Sequence, residues 1–314
     1  MVPRLLRRCL ALAAALLLSL TGAELALRAC RPERAFRVFQ PGLVARFAPR
    51  TELMPGVEGP SEFRVSALGF RAVERPNEVD LSVLALGGST TECLYLDQSE
   101  AWPARLEGEL GARLAQTVWV ANAGRSGRTT QDHALQLEQL LAQEPRFDCV
   151  LLLTGVNDLC AWLGTGAPAA PPELPRAFEV VPRARTEGPW WKRSACVSVL
   201  RDFLAARDAR GLAQDPRGSI YATWRAHRRD AARIRDALPD PGEALAAFRA
   251  ALDRLALSAS QHGTRLVLVT QPALWKAELA PELGALLWMG GVGDYQRQAG
   301  AEYYSPAVLA QGLA

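Results

Sequence analysis

The chain has 314 residues, of which 49% are hydrophobic and 22% charged, and a formal net charge of +3. This is enough for one large α/β domain with additions, or for two small domains. The charge is too near neutral to point to nucleic acid, because the arginines are scattered among acids as on an ordinary solvated surface.

Three arginines, Arg4, Arg7 and Arg8, precede an uncharged stretch over residues 9–23, "CLALAAALLLSLTGA". A basic start followed by a short apolar run reads as an export signal, with the small residues Thr21, Gly22 and Ala23 offering a cleavage point. If Glu24 sits at an interface, the stretch to Leu27 reads instead as a slightly short membrane anchor. Either way, the positive charge on one side places the remainder outside the cytoplasm, at the cell envelope. Residues 1–30 are therefore taken as signal peptide or anchor. The six cysteines contain no C-x-x-C pair and so form no metal pattern. Cys160 with Cys196 is a possible disulfide in an exported chain.

Residues 31–80 are rich in Arg, Pro and Phe, with alternating pieces such as "EFRVSALGFRA", and read as an extended lead-in that adds a strand or hairpin to the main body. A regular rhythm starts at residue 81. "LSVLAL" is nearly all apolar, as for a strand buried on both faces. "AWPARLEGELGARL" has Trp102, Leu106, Leu110 and Leu114 at helical spacing. "TVWVAN" is a second strand, residues 130–143 an amphipathic helix, and "FDCVLLLTG" a third strand. Residues 243–262 form a helix with Leu245, Phe248, Leu252 and Leu255 on one stripe, and "TRLVLVTQP" is a fourth strand. This alternation predicts βαβ units and a parallel sheet with all strand C-terminal ends along one edge. Residues 162–241 interrupt it as a partly helical, lid-like insertion over that edge. Trp190, Trp191 and Trp224 lie in it and either line a sugar or acyl site or pack the insertion onto the body.

Each of the first three strands ends in a special turn: Gly87-Gly88-Ser89-Thr90, then "NAGRSG" from Asn122, then Gly155-Val156-Asn157-Asp158. Singly, each is explained by sharp strand-to-helix turns and helix capping. Together, Ser89, Gly124 and Asn157 lie 35 and 33 residues apart, about one βαβ period each. A phosphate-binding loop at "GGSTT" would need the G-x-x-x-x-G-K spacing and its lysine, which are missing. No metal site, cofactor site or nucleotide fingerprint rises above background. Arg125 and Arg128 either meet an anionic substrate or pair locally with an acid such as Asp132.

From about residue 81 to the fourth strand, these blocks resemble the SGNH hydrolases, or GDSL-type esterases, in the variant with Gly-Gly-Ser where Gly-Asp-Ser is usual. The resemblance implies a three-layer α/β sandwich with a mostly parallel, flavodoxin-like sheet over residues 81–314. It implies Ser89 as nucleophile, and an oxyanion hole from the N–H groups of Ser89 and Gly124 and the amide of Asn157. An oxygen developing negative charge at such donors is stabilised, and removing one donor commonly costs about 2.7–4 kcal/mol. The implied substrate is a small-molecule, lipid or acylated-polysaccharide ester, and no cofactor is required. The family's base, a histidine in D-x-x-H after a fifth strand, has no counterpart. Thr130, Trp224 and Ala259 stand three places before His133, His227 and His262. His262 belongs at the far sheet edge, His133 on an outer helix face, and His227 in a solvated helix of the insertion. Nothing after Thr270 reads as a fifth strand and last helix. The sequence therefore predicts a sheet with an open, hydrophobic edge, an incomplete product, and either weak esterase activity or an inactive carbohydrate- or acyl-binding module.

Overall fold

The computed structural model describes residues 4–30, 36–143, 145–170, 194, 196–197 and 215–314. It divides into two units, Met1–Phe36 with Val180–Leu212, and Arg37–Glu179 with Ala213–Ala314. The first contains helix α1, Arg4–Cys30, whose Glu24 carboxylate accepts hydrogen bonds from Ser194 Oγ (2.8 Å) and the Cys196 N–H (3.1 Å). Among the described residues no helix is long and apolar enough to cross a membrane. Trp190 and Trp191 lie outside the described residues, and Cys160 and Cys196 are both free thiols.

The second unit opens with the lead-in. Strands β1 (Val44–Phe47) and β2 (Ser61–Arg64) pair antiparallel, as the alternating pattern predicts. The lead-in touches the main sheet through a bridge between Arg71 and Asn122, and through Phe70, which packs edge-on against Trp119 and Phe147. It belongs to the same compact unit as the rest.

The main body follows in the order β3 (Leu81–Gly87), α2 (Ser89–Glu92), α3 (Trp102–Leu114), β4 (Val118–Asn122), α4 (Thr130–Leu141), β5 (Cys149–Leu153) and α5 (Val156–Thr165). After the undescribed part of the insertion come α6 (Ser219–Arg229), β6 (Arg233–Arg235), α7 (Gly242–Gln261), β7 (Arg265–Val269), α8 (Pro281–Gly284), β8 (Glu302–Tyr304) and α9 (Pro306–Leu313). Four parallel strands form the central sheet in the order β4-β3-β5-β7. Strand β3 lies inside, and all but its first residue are buried. That is why its sequence is a continuous apolar run rather than an alternation. Val83, Ala85, Val118 and Val120 form one face, covered by Trp102 and Leu110 of α3. Leu84, Leu86 and Leu152, of opposite parity, are fully buried toward the other face, where α4 and α7 pack together. The result is the predicted three-layer α/β sandwich.

Since β4 and β5 flank β3 on opposite sides, the chain reverses direction across the sheet at β3. Open α/β sheets form their ligand crevice at such a switch point, outside the strands' C-terminal ends. The turn bearing Ser89 sits there.

Two expectations are revised at the C-terminus. A strand and a helix do follow Thr270, but β8 pairs in parallel with β6 in a separate two-stranded sheet. The α9 residues Val308 and Leu309 join Leu159, Trp162 and Leu163 in a second apolar cluster. Strand β7 thus keeps an open edge among the described residues, with Val267 37% and Leu268 59% exposed. The helix stripe is also shifted: Ala251, Leu255, Ser258 and Ala259 are buried in α7, whereas Leu245 is largely exposed. Likewise α5 runs on to Thr165, so the interruption of the βαβ rhythm begins later than residue 162.

His133 is fully buried in α4 rather than on an outer face, and burial pushes its imidazole pKa down to about 4. Its neutral form stabilises the fold above the ordinary value of 6.5, and that contribution is lost as pH falls toward 4. Replacing His133 by Leu removes this sensitivity. On moving from pH 7 to 4.5, the native protein is expected to lose roughly 2–3 kcal/mol more unfolding free energy than His133→Leu, measured by urea denaturation.

Candidate functional site

Gly88, not Ser89, occupies the N-cap of α2 and makes no side-chain cap. Ser89 is the first residue of the turn, exposed, and lines a cavity of about 470 Å³. Its hydroxyl is therefore not the capping group. Two glycines make this possible. A Cβ on Gly87 would stand 2.3 Å from Thr91 Oγ1 and 2.5 Å from Leu153 O. A Cβ on Gly124 would stand 2.3 Å from the Glu92 nitrogen. Only glycine lets the second loop press its backbone onto α2.

Asn157 lines the same cavity. Its Nδ2 donates one hydrogen bond to Arg128 O (2.8 Å), which leaves its second amide hydrogen for a ligand. The amide lies against the serine turn, since a Cβ on Gly88 would come within 2.8 Å of Asn157 Nδ2. A glycine before the serine therefore suits this asparagine, and any larger residue would push it aside. The next residue, Asp158, accepts from the Thr130 N–H (3.0 Å) and from Thr130 Oγ1 (2.9 Å), joining the third turn to the start of α4. Burial raises its carboxyl to about 6 in spite of these bonds.

Gly124 departs from expectation. Its N–H donates to Asn122 Oδ1 at 2.9 Å, a side chain folding back two residues onto its own loop, and Gly124 does not line the cavity. Asn122 Nδ2 in turn donates to Thr91 O (2.7 Å). The structure brings Ser89 and Asn157 together, while Gly124 acts as a close-packing point beneath α2.

Several residues that shape the site escaped the sequence reading. Arg71 is 1% exposed, and its guanidinium donates to the carbonyls of Glu92, Cys93, Leu96 (2.8 Å) and Asp97 (3.3 Å). It satisfies the C-terminal end of α2, where backbone carbonyls have no helical partner and a cation is favoured. The available signal was one arginine inside the apolar "LGFRA". The Glu92 carboxylate accepts from the Ser126 N–H (2.8 Å) and hydroxyl, tying α2 to the second loop, and burial pushes its pKa up. Trp102 Nε1 donates to Thr90 O (3.0 Å) and Gln271 Nε2 to Thr90 Oγ1 (2.8 Å).

The cavity's other wall comes from α6 and the segment before β8. Tyr221, Trp224 and Trp288 line it, with ring centroids 4.6–5.6 Å apart. The lead-in braces this wall, because the N–H groups of Ala48 and Arg50 donate to Pro216 O and Arg217 O. The described part of the insertion thus shares one cavity with Ser89 and Asn157 through Tyr221 and Trp224. Its "AHRRD" stretch is a solvated face only at Arg229 and Asp230. Arg228 is buried and donates to Met289 O and Tyr304 O, both at 2.7 Å. His227 Nδ1 lies 3.1 Å from Tyr295 O. None of the three histidines lines the cavity. His262 ends α7 beside Phe147 and Thr264, at the opposite sheet edge.

The sequence model described as "GDSL-like Lipase/Acylhydrolase family" matches residues 85–286. Solved structures with similarity include AlinE4, an SGNH-hydrolase family esterase, at 18% identity over 62% of this chain and 77% of that one, TM-score 0.26. Axe2, an acetylxylan esterase from Geobacillus stearothermophilus, gives the same figures. The psychrotrophic esterase EstA from Pseudoalteromonas sp. shares 17% identity over 61% and 78%, TM-score 0.26. Comparison with curated protein sequences finds no match.

Replacing Arg71 by Met strands several buried carbonyls at once. It is expected to lower the unfolding free energy by roughly 3 kcal/mol or more in chemical denaturation. Arg71→Lys is expected to recover only part of this, because an ammonium cannot reproduce the planar fork that spans the carbonyls of residues 92–97.

Proposed function

Because the chain belongs to the GDSL-like lipase/acylhydrolase family, we propose that it is a serine ester hydrolase acting on O-acyl groups, with Ser89 as nucleophile. The observation that carries this reading is the convergence of Ser89 and Asn157 on one cavity at the sheet's switch point. Ser89 Oγ attacks the ester carbonyl, the carbonyl oxygen takes up the electron pair, and the bond to the alcohol breaks as that oxygen recovers its carbonyl. The Ser89 proton leaves with the alcohol, and water then releases the acyl group from the serine. The developing oxyanion is held by the main-chain N–H of Ser89, at the positive end of α2, and by the Asn157 amide. Gly124 serves this reading by letting α2 sit where it does, not as a third donor. The basic start and short apolar stretch of α1 support export through a secretion signal. The N-terminal sequence of protein recovered outside the cytoplasm checks that location.

One observation favours a second reading, a module that binds an acyl or sugar ligand without turnover: no histidine lines the cavity to take the serine proton. Reaction with a fluorophosphonate probe separates the two. The hydrolase reading expects labelling of the full chain at Ser89, none in Ser89→Ala, and slow release of a chromogenic acetyl ester. Asn157→Ala is expected to slow acylation about 10²–10³-fold. His227→Asn and His262→Asn are expected to change it by less than about twofold, since neither side chain touches the cavity. An unlabelled Ser89 in folded protein would decide for the binding module.

A further inference from the structure

Three rings meet in the cavity beside Ser89 and form a corner. The Trp224 and Trp288 indoles lie one against the other, 4.6 Å apart and tilted by 32°. The Tyr221 ring stands at 76° to the first and 74° to the second, at 5.1 and 5.6 Å. All three line the cavity and are half-buried, so part of each ring is packed and part is open to a ligand. Tyr221 is backed by Tyr95 (5.9 Å), and Tyr95 by Phe47 (5.2 Å), which fixes the corner from behind.

A carboxylate lines the same cavity. Asp294 belongs to the glycine-rich stretch "MGGVGDY", which the hydrolase chemistry leaves unused. Its neighbours are anchored: the Gly293 N–H donates to Gly164 O (2.8 Å), and Tyr295 O accepts from the Tyr303 hydroxyl (3.3 Å). The Asp294 carboxylate meets the Arg297 guanidinium at 3.8 Å, but the two side chains are 52% and 86% exposed. Such a contact is weak and is readily exchanged for another cation.

We infer that this cavity binds a quaternary ammonium head group, held in the corner of Tyr221, Trp224 and Trp288 with its charge met by Asp294. An aromatic ring is negative on its faces, and a cation within about 6 Å of the ring centroid is attracted to it, most strongly by tryptophan. The attraction grows where the rings are shielded from water, as these partly are. A primary ammonium is strongly hydrated and carries three donors, for which rings offer no acceptors. A trimethylammonium spreads its charge over C–H groups, which shed water easily and pack against rings. On the hydrolase reading, the substrate is then an acyl ester of an alkylated amino alcohol, with its carbonyl at Ser89 and its head group in the corner. The inference rests on that reading for the fate of the ester, but not for binding of the cation.

Ser89→Ala, as the full chain, removes turnover and leaves binding to be measured by calorimetry and tryptophan fluorescence. The probes are acetylcholine and its uncharged isostere, in which a tert-butyl group replaces the trimethylammonium. They share ester, size and shape, so the difference between them reads the charge. Acetylcholine is expected to bind saturably and about tenfold or more tighter than the isostere. Adding Asp294→Asn is expected to weaken acetylcholine by about fivefold or more and the isostere by less than about twofold. Adding Trp288→Ala is expected to weaken acetylcholine by about tenfold, with Trp288→Phe retaining most of the affinity. Far-UV circular dichroism and melting identify any variant that fails to fold, and Asp294→Asn, at an exposed side chain, keeps the test independent of the aromatic packing. Absence of saturable acetylcholine binding, an isostere bound as tightly, or acetylcholine affinity unchanged in both Asp294→Asn and Trp288→Ala overturns the inference. Acetylcholine binding by a protein whose Ser89 resists the fluorophosphonate upholds it and removes the hydrolase reading alone. Labelling of Ser89 without any preference for the cation removes the inference alone.

Discussion

A one-turn helix cannot hold itself together in water, because closing the first turn fixes three residues for very little hydrogen bonding. Helix α2, which carries Ser89, is only such a turn. Everything the site does depends on the clamp around it. Arg71 collects the carbonyls at its end, Asn122 holds Thr91 O, Glu92 grips Ser126, and Trp102 and Gln271 hold Thr90. These partners come from the lead-in, the second loop, α3 and the segment after β7, so the turn is fixed by contacts distant in sequence. The lead-in is thus part of the machinery that positions the serine, not an appendage.

The central architecture was legible because it rests on local patterns. An apolar run such as "LSVLAL" can only be satisfied between two layers, and a glycine pair ending it marks a sharp turn at a sheet edge. Ser89, Gly124 and Asn157 were grouped by the same logic, since the βαβ period brings successive turns to one edge, and their roles came from the family resemblance. What stayed illegible depends on direction rather than pattern. The N–H of Gly124 is consumed by Asn122 two residues away, and no spacing rule reveals which way an asparagine side chain folds. Arg71 and Arg228 read as surface charges because composition says nothing of carbonyls waiting to be satisfied in the interior. The aromatic wall joins Trp224 to Trp288, 64 positions on and beyond two strands, which only tertiary packing brings together.

Burial sets the electrostatics of the site more than ion pairing does. Glu92 and Asp158 are both pushed upward by loss of water, although each accepts backbone and hydroxyl hydrogen bonds. Both bind one loop to another and neither lines the floor beside Ser89, so they act as rivets between turns. Among the described residues, those lining the cavity are uncharged apart from Asp294.

The position of β3 has a further consequence for how this molecule comes apart. It is hydrogen-bonded on both sides, whereas among the described residues β7 has a single neighbour, and its side chains are half-open. Partial opening therefore starts with β7 peeling away, and the amides of β3 exchange with solvent only when the whole sheet is lost. The serine turn is moored to that interior strand, and Gln271, which follows β7, is the clamp contact that such opening would release.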